Sequence, residues 1–213
     1  MQMLKVTDGV SVKLPNGPVG INFSGGADST ILVFLVMSQL SVPLHLITTT
    51  VSDRDNSHKK TTKAITDKLC QLTSNTDIHF HYNHQETSQS GISTLFDLSK
   101  QLIYKDRIVN SILTGITANP PGYITDSFKN SEVEPSARDS SITRPIRRAP
   151  GWFNPLTNLN KQDICKIYYD NNILDSVFPL TKSCWTDFGE PPCGSCWFCE
   201  ERDWGLKFNP QSS

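Results

Sequence analysis

The stretch FSGGADST, Phe23 to Thr30, sets two adjacent glycines among hydroxyl side chains with one carboxylate, Asp28. Gly25 and Gly26 let the backbone approach a ligand with no Cβ in the way, while Ser24, Ser29 and Thr30 add hydroxyl donors. A Walker A loop carries a lysine that reaches the β- and γ-phosphates, and this loop has none. Without it the loop suits a pyrophosphate that departs as a unit; the bland alternative is an ordinary glycine-rich turn. A second cluster lies in the tail, where Cys184, Cys193, Cys196 and Cys199 follow the spacing C-x8-C-x2-C-x2-C. Four thiolates this close can meet around one ion, and C-x2-C steps are usual for structural zinc. Two disulfides or free buried thiols are the alternatives, the former disfavoured in a reducing compartment. Cys70 and Cys165 fall on expected helices and read as core residues.

The elements that must position these residues follow an alternating rhythm. VGINF (19–23) reads as a buried strand that runs into the loop, and STILVFLVMSQL (29–40) as a largely buried helix. The first turn of that helix offers unpaired amides and the positive end of a dipole, a ready anion site. PLHLITTTV (43–51) is a second strand, 56–72 a helix with Ala64, Ile65, Leu69 and Leu72 on one face, and DIHFHY (77–82) a third strand by alternation. Residues 94–109 read as a helix and SILTG (111–115) as a fourth strand ending at Gly115. Strands alternating with helices predict a Rossmann-like α/β fold: a parallel sheet with helices on both faces, its ligands beyond the carboxyl ends of the strands. From 119 to 155 the chain is rich in Pro, Ser, Arg and Gly and reads as a long loop; 159–171 returns to helix with Asn160 as N-cap, and the last thirty residues show no helical period. The expected division is 1–175 for the α/β domain and 176–213 for a small C-terminal four-cysteine zinc module packed on it.

Composition narrows the function classes. With 213 residues, 37% hydrophobic and 19% charged, the chain is of globular type, and a net charge of −1 gives no global attraction for nucleic acid or anionic membrane. The longest apolar run, 31–37, is too short to span a bilayer, and the N-terminus lacks the apolar stretch of a signal peptide, so a cytoplasmic location is expected.

SGGADST resembles the signature of the PP-loop ATP pyrophosphatases, enzymes of the HUP type that split ATP into AMP and pyrophosphate to adenylate a substrate oxygen. The resemblance implies ATP and magnesium as ligands, with Asp28 and Ser29 catalytic and Phe23, Ser24, Gly25, Gly26, Thr30 and Gly115 also around the nucleotide. The tail SCWTDFGEPPCGSCWFCEERDWG looks like that of the 7-cyano-7-deazaguanine synthase family within this group, with Arg202 matching an arginine three residues past the last cysteine. FNPLTNLNKQDI (153–164) is similar to the same family through Pro155, Leu156 and Lys161. The middle departs: VSDRDNSHKK keeps only His58 of one family element, and TANPPGYITDSFK keeps Gly122, Tyr123 and, displaced by one, Asp126 of another. The resemblance therefore implies a deazaguanine acid and ammonia as small-molecule substrates in the queuosine route, with Lys161, Tyr123 and Asp126 at the substrate. Transfer of the activated acid to a protein or nucleic acid, tRNA thiolation, and a homodimer stay open, as does a degenerate loop that only senses ATP. His79, His81 and His84 have no carboxylate at ligand spacing and read as structural; the basic run RPIRR (144–148) reads as solvated; Trp185, Trp197 and Trp204 read as packing in the metal module.

Overall fold

The computed structural model describes residues 1–51, 55–85, 91–121, 138, 140–184 and 192–210. A hairpin of β1 (Gln2–Lys5) and β2 (Ser11–Leu14) opens the chain, burying Leu4, Val12 and Leu14 on one side. The main sheet has six strands: β3 (Val19–Asn22), β4 (Leu44–Val51), β5 (Ile78–Gln85), β6 (Ser111–Thr114), β7 (Arg147–Ala149) and β8 (Trp152–Phe153), in the order β5-β4-β3-β6-β8-β7. All pairings are parallel except that of β7 with β8 at the edge. Every residue of β3 and β6 is buried, as expected of central strands covered on both faces.

Helices cover both faces. Helices α1 (Ala27–Gln39) and α2 (Asp55–Leu72) share one core with Val19, Ile21, Leu44 and Leu46. On the other face Leu95 and Leu98 of α3 (Gly91–Lys100), with Leu102 of the following π-helical turn Gln101–Lys105, pack on Ile47 and Ile112. Helix α4 (Lys161–Asp170) starts at Asn160, whose side chain accepts from the amides of Gln162 and Asp163 at 2.8 and 3.2 Å while Asp163 accepts from the Asn160 amide at 2.8 Å. This capping box fixes where α4 begins and hence where Lys161 stands. No helix of the described residues is long and apolar enough to cross a membrane.

The structure departs from the sequence reading in four places. The inward face of α2 is Thr62, Ile65, Thr66 and Leu69; Ala64 faces out and Leu72 is 44% exposed. The helix expected over 94–109 turns π-helical after Lys100, with the Asp106 amide bonded to the Gln101 carbonyl at 2.9 Å, and Arg107 at φ 54° ends it. That exit brings the Asn110 amide to the Pro18 carbonyl at 2.8 Å, setting β6 beside β3. Within the stretch read as loop, β7 and β8 extend the sheet, with three and two residues that are too few to show a period. In the tail, α5 (Trp197–Gly205) is helical although its buried positions are Trp197, Cys199, Glu201 and Gly205. A hydrophobic-period reading passes over a helix that points a carboxylate and a bare backbone inward.

Candidate functional site

The loop 23–30 leaves the carboxyl end of β3 as expected. Phe23 is fully buried and bonded through its amide to the Ile47 carbonyl at 2.8 Å, so it holds the loop from below. Gly25 lies at φ +74°, a left-handed conformation that favours glycine. Gly26 is the N-cap of α1 and brings no capping side chain, which leaves the first-turn amides to solvent or a ligand. Ser29 turns its hydroxyl back into the loop: it donates to the Gly26 carbonyl and accepts from the Ser24 amide, both at 3.2 Å, and lies 3.2 Å from the Ser24 hydroxyl. Thr30 is fully buried, so of the expected hydroxyls Ser24 alone is exposed. A Cβ on Gly115 would lie 2.9 Å from the Asp28 carbonyl carbon and the Ser29 nitrogen, so the residue that follows β6 presses bare backbone against the first turn of α1.

Asp28 is the hub of a buried charge network. The Lys161 ammonium, 4% exposed at the start of α4, pairs with Asp28 Oδ1, and the Thr117 hydroxyl donates to Oδ2 at 3.4 Å. Lys161 Nζ also stands 3.8 Å from Oε2 of Glu201, whose Oε1 accepts from Arg138 at 2.7 Å. Arg138 donates in addition to the carbonyl and hydroxyl of Thr117 at 3.0 and 3.1 Å. Two acids and two bases therefore balance in a low-dielectric pocket beside the loop, each with a partner, as buried charges require. Across the loop, the His58 ring bridges the Ser24 carbonyl (2.7 Å, Nε2) and the Thr49 carbonyl (3.1 Å, Nδ1), joining α2, β4 and the loop.

The four tail cysteines gather with all sulfurs within 4.8 Å of one another. Cys196 Sγ is 3.6 Å from Cys199 and 3.9 Å from Cys184, and Cys193 is 4.0 Å from Cys199. Metal–sulfur bonds of about 2.3 Å in a tetrahedron imply sulfur–sulfur edges of about 3.8 Å. The spacing thus fits one tetrahedral ion, whereas a cubane cluster puts each thiolate on its own iron and spreads the sulfurs wider. Burial, and then the neighbouring thiols, push Cys199 up to about 12, which a bound dication reverses by taking the thiolate.

The tail also touches the loop directly. The Lys182 amide donates to the Gly25 carbonyl at 2.9 Å, two residues before Cys184. Arg202 donates to Thr181 Oγ1 at 2.7 Å and to the Phe178 carbonyl at 2.8 Å, and its guanidinium lies 4.0 Å from the Phe178 ring centroid. Trp197 is buried and Trp204 half-buried, as packing residues would be.

Asp28, Ser29, Gly115, Lys161 and the cysteine module are thus brought to one end of the sheet. Tyr123 and Asp126, with Gly122 and Trp185, lie outside the described residues. Thr117, Arg138 and Glu201 carry no sequence signal: Thr117 sits in an unpatterned segment, and Glu201 on a helix without a legible period. On β5 the three histidines divide, His79 and His81 stacking on His45 of β4 (ring centroids 4.7 and 5.1 Å) while His84 is on the opposite face with Thr50. A carboxylate does reach this group, Asp77 bonding His79 at 2.9 Å; among the described residues only the cysteines assemble a metal-ligand set. Arg147 and Arg148 are exposed on β7.

No family model and no curated protein matches the chain. Among solved structures it is similar to the U34-tRNA thiolase NcsA of Methanococcus maripaludis, described with its 4Fe–4S cluster, at 12% identity and a TM-score of 0.45. The match covers 76% of this chain and 59% of the thiolase, so the chain spans about three fifths of that protein's length. Likeness at this level assigns no activity.

Proposed function

We propose that the chain cleaves ATP to AMP and pyrophosphate and adenylates a carboxylate, with 7-carboxy-7-deazaguanine as the acid and ammonia as the final nucleophile. The observation that carries this reading is the arrival of a buried lysine at a loop that has none of its own. Lys161, from α4, reaches Asp28 in the first turn of α1. A loop with its cation supplied from a separate element suits a pyrophosphate that must be released.

In this reading the first-turn amides of α1 hold the phosphates, with backbone approach permitted by Gly25, Gly26 and Gly115. Magnesium would enter with ATP and offset phosphate charge, and Asp28 is the carboxylate placed to hold it. Lys161 stabilises the charge that develops as the acid's oxygen attacks the α-phosphorus and pyrophosphate leaves. Ammonia then displaces AMP to give an amide; a second ATP activates the amide oxygen, and loss of AMP leaves the nitrile. The chain contributes positioning and charge, with no covalent nucleophile. Zinc is the ion for the four cysteines, on the sulfur spacing. A sulfur-transfer reading draws less support from the chain, because four cysteines share one cluster and burial pushes the Cys165 thiol up to about 12.

Purified protein given magnesium, ATP, 7-carboxy-7-deazaguanine and ammonium should yield amide and then nitrile by mass spectrometry, with two AMP per nitrile. ADP and orthophosphate as products would reject the reading. An adenylate that forms but ignores ammonium would move the acceptor to a macromolecule.

A further inference from the structure

We propose that Glu201 is a positioning residue that couples the four-cysteine metal module to the nucleotide loop, so that bound metal and bound nucleotide each strengthen the hold on the other. The inference rests on the nucleotide reading above and goes beyond it, because nothing in adenylation chemistry requires the metal module to touch the loop.

Glu201 lies two residues past Cys199 on α5, a helix whose N-cap is Cys196. A metal that binds Cys196 and Cys199 therefore fixes the first turn of α5, and Glu201 is only about 3 Å further along the axis. Its carboxylate is 2% exposed and meets Arg138 at 2.7 Å on one oxygen, with the Lys161 ammonium 3.8 Å from the other. That ammonium is the one paired with Asp28. Helix α5 also packs tightly on α4 at the same lysine: a Cβ on Gly205 would stand 2.5 Å from Lys161 Cγ and 3.0 Å from its carbonyl. A rotation or slide of α5 cannot leave Lys161 where it is. The segment before Cys184 gives a second attachment, through the Lys182 amide on the Gly25 carbonyl.

A buried carboxylate is an expensive way to pack a short helix, since an apolar residue of like volume is often neutral or better. Its placement between two cations, one of them at the loop, gives it a positional use. Coupling between two ligands is reciprocal, with typical factors of about 5 to 150.

The experiment follows zinc transfer from the zinc-loaded protein to a chromophoric chelator, with and without a magnesium-bound non-hydrolysable ATP analogue, whose binding is measured by calorimetry. The analogue is expected to slow zinc release at least about fivefold in the unaltered protein. In Glu201→Gln, still holding one zinc per chain, the ratio of the two rates should fall toward one. A helix that was merely loosened would release zinc faster with and without the analogue alike, leaving the ratio unchanged. Should Glu201→Gln fail to fold, Gly205→Ala, which pushes α5 off Lys161, carries the same expectation. Analogue bound with no slowing in the unaltered protein overturns the coupling alone. Slowing of equal size in the unaltered protein and Glu201→Gln overturns the role of Glu201. No analogue binding overturns the nucleotide reading and this inference with it.

Discussion

Lys161 is the residue on which the site turns, since it is buried, cationic and shared between Asp28 and Glu201. Lys161→Met keeps the length of the stem and removes the charge, leaving two carboxylates with Arg138 as their remaining cation. AMP formation should fall by about 10²–10³ in kcat/KM, the usual loss for one preorganised charge-stabilising group. The fold should weaken by about 3 kcal/mol, because an uncompensated buried charge remains; urea unfolding separates the two effects. Asp28→Ala removes the other half of the pair from a more exposed position. It should cost a similar factor in rate with a smaller change in the urea midpoint, and a variant of unaltered rate would remove Asp28 from the chemistry.

Between elements, Gly115, just past β6, meets the first turn of α1 backbone on backbone, so Gly115→Ala should force the two apart. Overpacking of this kind costs about 1–3 kcal/mol, and nucleotide binding by calorimetry should suffer more than the urea midpoint does. On the outer strands, His45 on β4 lies against His79 and His81 of β5, with its Nδ1 2.8 Å from His81 Nε2. Burial, then the neighbouring His81 and His79, pull its pKa from 6.5 down to about 4, against a smaller opposing pull from Asp77. The folded chain therefore binds a proton at His45 less readily than the unfolded chain does. The stability this contributes is complete above about pH 6.5 and is lost as pH falls toward 4, on the order of 3 kcal/mol at most. His45→Leu should flatten the dependence of unfolding free energy on pH across that window. A slope identical to that of the unaltered chain would show that other groups set it.

At the scale of the whole molecule, the four-cysteine module is tied to the end of the sheet that carries the glycine-rich loop, through Glu201 and Lys182. Purified protein should carry one zinc per chain by elemental analysis, and Cys196→Ser should lose it and lower the thermal midpoint, since such an ion supplies folding free energy. Because the ion must displace protons, Cys199 among them with its thiol at about 12, zinc retention should weaken as pH falls. Substoichiometric zinc with disulfides in non-reducing mass spectrometry would overturn the metal centre.

What the sequence determined by itself was local. The strands 19–23 and 43–51, the glycine-rich turn after the first and the Asn160 cap rest on neighbours within a few residues, and the C-x2-C steps place thiols by spacing alone. The burial of α1 showed in its composition, and the parallel pairing of the sheet followed from the alternation of strands and helices. Tertiary structure decided the rest. Asp28 and Lys161 are 133 residues apart, and Arg138 and Glu201 are 63 apart, so no local pattern could pair them. The same holds for α5, whose inward Glu201 and Gly205 make sense only against Lys161. The hairpin and β7 were illegible because, unlike the comparably short but wholly buried β3 and β6, they carry exposed polar positions, and β8 because it has two residues; all are held by the edges they pair with. Periodicity reports which face of an element avoids water; it does not report which buried charges meet, because that depends on the distances that folding alone closes.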